Sequence, residues 1–257
     1  MSQAAMVLPG TDVSVSVSAT GREPLARRLV AEGVGTAFLL ATVIGSGIMA
    51  ERLAGGSVAL ALLANAIATG AGLLALSLTF GGISGAHFNP AVTVADASQG
   101  GLRWRHVAPY VIVQLAGAFA GVALAHLMFG APLFSASRHV RSGLGQWTGE
   151  FLATFGLVSV IRGCSRARAA MTPFAVAAYI TAAYWFTSST SFANPAVTLA
   201  RAASDTFAGI RPADAPGFIV AQAVGAASAT LLFRWLVPGR PTIAGRGATT
   251  DDQEDAA

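Results

Sequence analysis

No lysine occurs in the 257 residues, cysteine occurs once, and only 11% of the chain is Asp, Glu, Lys or Arg. An average soluble domain carries roughly 25% charged residues, so this chain has too little polar surface to face water on every side. The lone Cys164 excludes an intramolecular disulfide. It reads as a bystander in a short cytoplasmic loop. The polar N-terminal stretch has no basic segment followed by an apolar one, so no cleavable signal peptide is expected. The chain also lacks a glycine-rich phosphate loop beside a strand, a Cys/His metal spacing and a Ser/His/Asp grouping at one depth. Those absences argue against an enzyme and leave no cofactor or metal to expect.

What the chain has is apolar: 54% of its residues are hydrophobic. They gather into six runs, Leu29 to Ala50, Ser57 to Phe80, Val107 to Phe129, Thr148 to Ile161, Pro173 to Phe186 and Pro216 to Val237. A bilayer core takes about 20 residues to cross, fewer where a helix packs among others. The runs therefore predict an all-α membrane protein with six spans. The net charge of +4 could suggest nucleic acid, but the basic residues sit between apolar runs without interleaved aromatics. Topology accounts for them. With a cytoplasmic N-terminus, Arg22, Arg27, Arg28, Arg103, Arg105, Arg162, Arg166, Arg168, Arg234, Arg240 and Arg246 lie inside, and only Arg52, Arg138, Arg141, Arg201 and Arg211 lie outside. This is the positive-inside bias, and it puts both termini in the cytoplasm. Residues 1–24 and 238–257, the latter ending in DDQEDAA, read as disordered cytoplasmic tails around a domain at 25–237.

That domain repeats itself. The pentapeptide NPAVT occurs at Asn89 and again at Asn194, AEGVGTAFLL at Ala31 has an echo in GEFLATFGLV at Gly149, and APYVIVQLAGAFAG at Ala108 has one in APGFIVAQAVGAAS at Ala215. Repeat units at 25–130 and 146–237 follow, each ordered helix, helix, NPA loop, helix. Each unit holds an odd number of spans. The second must then start on the opposite face of the membrane, as in inverted-repeat transport folds.

Asn is a strong helix N-cap, and Pro suits the first helical position because its missing N–H would go unpaired there. Asn89, Pro90 and Ala91, and likewise Asn194, Pro195 and Ala196, therefore predict two helix starts. A helix of about ten residues is about 15 Å long, half a bilayer core. By parity one half-helix enters from each side, and their N-termini meet near the midplane. Each end carries roughly half a positive charge, so the pair opposes cations in a water-lined passage. The Asn89 and Asn194 amides would offer N–H donors to a neutral solute. The glycine-rich FGGISGAH at Phe80 suits a backbone that turns tightly before the first motif. A single NPA would read as a turn before an ordinary helix; two, each after the second span of a unit, argue against that.

At these residues the chain resembles the aquaporin (major intrinsic protein) family, over essentially Leu25 to Val237. The resemblance is carried by Glu32 in AEGVGT, by GGISGAHFNPAVT at Gly81, by Gln114, Glu150 and Gln222, and by the second NPA. It implies a homotetramer of six-helix bundles, each with its own pore, passing water or small uncharged solutes through the lipid bilayer. It also implies that Glu32 and Glu150 support the loops and that His87 lines the cytoplasmic vestibule. The alternative to that supporting role is that the two acids lie at span ends and face headgroups. His126 reads as a packed or interfacial residue.

Pores of the family narrow at four positions, located here by spacing from the two Asn residues: Thr69, Ala182, Ser191 and Val197. Water-selective members resemble one another in having an aromatic, a His, a small residue and an Arg there. Thr69 and Ala182 are expected to widen the constriction, and Val197 to remove a fixed charge. Arg201, one turn later, reads as a structural or rim residue. The pattern is similar to that of bacterial aquaglyceroporin-like channels associated with arsenic resistance, which implies water, glycerol-type polyols and uncharged metalloid acids such as arsenite as solutes. A water-selective aquaporin and an ion-coupled secondary transporter built on inverted repeats are the alternatives. The Gly117/Gly121 pair could mediate contact between subunits or within one.

Overall fold

The computed structural model describes residues 23–237. The expected tails at 1–24 and 238–257 lie outside these residues, save for Glu23 and Pro24. Among the described residues eight α-helices follow one another: α1 Leu25–Leu53, α2 Val58–Ser84, α3 Pro90–Ala97, α4 Val107–Phe129, α5 Leu144–Ala167, α6 Thr172–Phe186, α7 Pro195–Arg201 and α8 Ala215–Leu236. Among the described residues there is no strand. Six helices are long and two, α3 and α7, are short. The short ones begin at the two NPA motifs.

Five of the long helices, counted with their adjoining single turns of 3-10 helix, are long and apolar enough to cross a membrane. Helix α5 falls outside that group, and it carries Gln146, Glu150, Arg162 and Arg166. Its polar groups are compensated by the fold. Glu150 is fully buried on hydrogen bonds, and Arg162 donates to the Ala95 carbonyl at 2.6 Å. The outward faces are apolar, with Val30, Phe38, Leu60, Ile67, Leu127, Val220 and Leu231 all more than half exposed. Hydrocarbon is the solvent such a surface suits.

The core follows from spacing and from small residues. On α1 the buried positions Glu32, Gly35, Thr36, Leu39, Leu40, Val43, Ile44, Gly47 and Ile48 recur every three or four residues and form one stripe. Helix α1 packs against α2 and α4, α5 against α6 and α8, and α2 against α6 joins the two units. Where α4 crosses α1, a Cβ on Gly117 would lie 2.2 Å from the Gly33 carbonyl oxygen, and one on Gly121 would lie 2.2 Å from that of Ala37. The pair therefore serves contact within the subunit. Gly225 plays the matching part where α8 crosses α5, its Cβ position being 2.5 Å from the Phe151 carbonyl oxygen. Both crossings bring backbones together, the way helices associate where lipid tails remove the hydrophobic drive.

Two expectations change here. Gly81 and Gly82 do not make a loop: α2 continues through them to Ser84, and only Gly85 turns, with φ 94°. Cys164 lies in the last turns of α5 and not in a loop.

Candidate functional site

The two short helices meet end to end. Asn89 caps α3 by accepting from the Ala91 N–H at 2.9 Å, and Asn194 caps α7 by accepting from those of Ala196 and Val197 at 3.0 and 3.3 Å. Each amide then reaches across the molecule. Asn89 Nδ2 donates to the Ala193 carbonyl at 2.7 Å, and Asn194 Nδ2 donates to the Phe88 carbonyl at 2.8 Å. A primary amide has two N–H donors, so each Asn keeps one while the other ties the half-helices together. Pro90 and Pro195 hold the first helical positions, followed by Ala91 and Ala196.

Two carboxyl groups hold the strands of loop that lead into the motifs. Glu32 accepts on Oε1 from Ser84 Oγ at 2.6 Å and the His87 N–H at 2.9 Å, and on Oε2 from the Phe88 N–H at 2.7 Å and Gln114 Nε2 at 2.8 Å. Glu150 accepts from the N–H groups of Phe192 and Ala193 at 2.8 and 2.9 Å and from Gln222 Nε2 at 2.6 Å. Both are wholly buried, so neither faces headgroups. Gln114 also donates to Thr93 Oγ1 at 2.9 Å, and Gln222 donates to Thr198 Oγ1 at 2.8 Å. The two units thus repeat one scheme, in which a Glu grips the loop and a Gln links that Glu to the half-helix.

The loops need this grip because their backbones are strained. Ala86 and Phe88 have φ of 49° and 47°, and Ser191 and Ala193 have 51° and 48°. These are left-handed conformations in non-glycine residues, costing of order 1–3 kcal/mol each and persisting only where surroundings impose them. In both loops they fall one and three residues before the Asn. Nothing in the residue types announces them.

One cavity of ≈ 640 Å³ passes both motifs. At one end its wall includes Thr69, Tyr184, Ser191, Val197 and Arg201; near the middle it includes Asn89, Asn194, Phe88 and Ala193; at the other end it includes His87, Asp96, Arg162 and Arg28. His87 Nδ1 is 3.2 Å from Thr93 Oγ1, and its Nε2 is 3.7 Å from Asp96, whose other oxygen is 3.8 Å from Arg162. His126 is fully buried, with Nε2 2.8 Å from Ser204 Oγ, and acts in packing.

Of the four positions read from spacing, Thr69, Ser191 and Val197 come together on this wall and Ala182 does not. Ala182 is exposed on the outer side of α6, whereas Pro173, Val176, Ile180 and Tyr184 of that helix face the cavity. Residues two apart on an α-helix point about 200° apart. An offset of two in counting back from Asn194 therefore exchanges the wall for the outer face of the helix. Tyr184 Oη lies 3.2 Å from Thr69 Oγ1, which gives this part of the cavity wall an aromatic ring that the spacing from Asn194 did not reveal. The available signal was the spacing of Ile180 and Tyr184, with a phenol that needs a partner when buried.

Arg201 also belongs to the wall. It is 98% buried, by its 2% exposure, and packs its guanidinium against the Phe192 ring at 3.3 Å from the centroid. Cys164 does not line the cavity, and Ser191 stands on it without a thiol. Mercurial reagents are accordingly expected to leave solute flux in proteoliposomes nearly unchanged. Strong block reversed by a thiol would place Cys164 on the conducting route.

The chain is similar to known proteins. The major intrinsic protein family matches residues 20–187, from the N-terminal side of α1 to just past α6. The chain is 56% identical over 220 residues to Aquaglyceroporin AqpS of Rhizobium meliloti (strain 1021), covering 85% of this chain and 94% of that protein. It is 36% identical over 149 residues to Aquaporin NIP1-1 of Arabidopsis thaliana, covering 54% of this chain and 49% of that one. The X-ray structure of the aquaglyceroporin from Plasmodium falciparum superposes with a TM-score of 0.62 over 82% of this chain and 96% of its own; at 20% identity that likeness speaks for the fold. Inverted units, paired half-helices and a passage between them agree with these matches, and the chain belongs to the major intrinsic protein family, as a multi-pass membrane channel and not an enzyme.

Proposed function

We propose that this channel is aquaglyceroporin-like, passing water, glycerol-type polyols and uncharged metalloid acids such as arsenite. The observation that carries this reading is Val197, apolar and on the cavity wall one residue after the second NPA, beside Thr69 and Ser191. Asn89, Pro90, Ala91, Asn194, Pro195 and Ala196 form the central station, where one free N–H of each Asn meets a solute hydroxyl and two helix ends oppose cations. Thr69, Ser191 and Val197, now with Tyr184 in place of Ala182, form the selecting constriction. Glu32 and Glu150 support it, and His87 stands in the cytoplasmic vestibule. The channel domain spans 25–237, sits in the inner (plasma) membrane with both termini cytoplasmic, and assembles as a homotetramer. The similarity to the Rhizobium meliloti relative, an aquaglyceroporin by name, supports the solute class.

One observation favours the narrower, water-selective reading: the Tyr184 ring bonded to Thr69 narrows the wall that the sequence count had left open. Swelling of proteoliposomes in water, glycerol and arsenite gradients separates the two. Val197→Arg is expected to reduce glycerol and arsenite flux about tenfold, equivalent to ~1.4 kcal/mol of barrier, with a smaller loss for water. Native vesicles that pass water but not glycerol would establish the water-selective reading, and equal losses for all solutes would remove Val197 from selectivity. Uphill glycerol accumulation under an imposed H⁺ or Na⁺ gradient would instead mark a coupled transporter.

A further inference from the structure

The constriction does not lack a fixed cation. Arg201 ends α7, one turn beyond Val197, and its side chain is inside the wall of the same cavity as Tyr184, Ser191 and Val197. Three observations set it apart from a rim residue. It is 98% buried by its 2% exposure, yet no carboxylate oxygen among the described residues lies within the 4.0 Å of an ion pair. Its Nε donates to the Ala208 carbonyl, which fixes the plane of the fork. Its guanidinium rests on the Phe192 ring at 3.3 Å from the centroid, so the charge is held in place and not left to wander. The nearest buried acid, Glu150, is engaged by Phe192, Ala193 and Gln222.

A second cation reinforces the site. Arg141, from the loop between α4 and α5, lies 5.1 Å from the same Phe192 ring, with Nε bonded to the Gly209 carbonyl at 2.8 Å and Nη1 3.3 Å from that of Ser189. Two guanidiniums thus share one aromatic ring at one end of the cavity. A buried charge without a counter-ion is costly. Its position at the C-terminal end of α7 recovers part of that cost from the helix dipole.

We propose that Arg201 is a specificity-determining residue, the fixed positive charge that excludes small organic cations from the outer constriction while solutes of equal size and no charge pass. The proposal rests on the channel reading above and concerns its selectivity. An Arg on a pore wall acts as an electrostatic barrier to cations, and a low-dielectric wall strengthens it. Arg201 does at one turn's remove what the apolar Val197 cannot do. The expected discrimination is between guanidinium and urea, which match in shape and differ in charge.

The test uses the full chain in proteoliposomes, with glycerol swelling, urea uptake and guanidinium uptake measured side by side. Native protein is expected to show swelling and no guanidinium entry. Arg201→Gln is expected to raise guanidinium uptake at least about tenfold more than it raises urea uptake, and Arg201→Lys to keep guanidinium out. Arg201→His supplies a charge switch within one folded protein, since imidazole is charged near pH 5 and neutral near pH 8: guanidinium, charged at both, enters only at the higher pH. Guanidinium excluded by Arg201→Gln as by native protein overturns the proposal, as does an equal rise for urea, which would mean a wider pore. Failure of all three variants to fold, read by thermal melting in detergent, also overturns it, because Arg201 is then a purely structural residue. Absence of glycerol swelling in the native protein counts against the solute class proposed above, not against Arg201.

Discussion

Glu150→Gln is expected to lower the thermal stability of the protein in detergent and to remove most of its solute flux, although Gln has the size and shape of Glu. The Glu150 carboxyl receives hydrogen bonds on both oxygens, from the Phe192 N–H on one and from the Ala193 N–H and Gln222 amide on the other. A Gln amide offers one acceptor and one donor group, so in either rotamer an N–H faces another N–H. Each buried donor left without a partner costs about 1–3 kcal/mol, against a total stability of order 5–15 kcal/mol. Glu150→Ala leaves three donors open and is expected to cost more. Glu32, which gathers four donors from Ser84, His87, Phe88 and Gln114, predicts the same order of loss in the first unit.

The effect reaches function because the donors belong to strained loops. Phe192 and Ala193 lead directly into Asn194, and Ala193 has φ 48°. Its carbonyl also receives the Asn89 amide. Releasing one loop thus frees the cap of one half-helix and the crosslink to the other. Melting curves and glycerol swelling measured on the same preparations check this. A Glu150→Gln protein of native stability and native flux would show that the carboxyl only fills space.

Gly121→Ala is expected to destabilise the protein, against the helix propensity of Ala, which exceeds that of Gly by about 1 kcal/mol in a helix interior. The added Cβ would sit 2.2 Å from the Ala37 carbonyl oxygen and 2.7 Å from the Leu40 side chain. Rotamer changes cannot relieve contact with a backbone oxygen, so α1 and α4 must separate, an overpacking penalty of typically 1–3 kcal/mol. Gly117→Ala meets the Gly33 carbonyl oxygen in the same way, and the double variant is expected to lose the crossing altogether. Glu32 on α1 and Gln114 on α4 are bonded across it, so flux falls with stability. Gly163→Ala is the control: it lies in α5 with nothing nearer than a Phe233 ring carbon at 3.8 Å, and it is expected to be neutral or stabilising. Equal behaviour of Gly121→Ala and Gly163→Ala in thermal melting would mean that close backbone approach does not set the α1 and α4 contact.

Much of the molecule was legible in its residues because membranes impose few choices. Charge scarcity, apolar runs and the odd number of spans per repeat predict six long helices in two opposed units, and Asn-Pro twice predicts two short ones. Capping chemistry is local, so the Asn89 and Asn194 helix starts followed from neighbouring residues alone. What sequence left open depended on distance in space. Whether Glu32 and Glu150 face headgroups or loops, and whether Gly117 and Gly121 serve contact within a subunit, were settled only when α1, α2, α4, α5 and α8 packed.

The cavity wall around Thr69 and Val197 shows the same division more sharply. Val197 and Ser191 sit within three residues of Asn194, where chain geometry is short-range, and counting placed them on the wall. Ala182 lies across a loop whose path no residue type specifies, and an offset of two positions exchanged Tyr184 on the cavity wall for an alanine exposed on the outer side of α6. Arg201 was visible as a residue but not as part of the cavity wall, because its orientation comes from the Ala208 carbonyl and the Phe192 ring, brought to it by other parts of the chain. Local chemistry and the lipid solvent determined that there are two half-helices in a six-span membrane fold; packing between distant segments decided which side chains a solute meets between them.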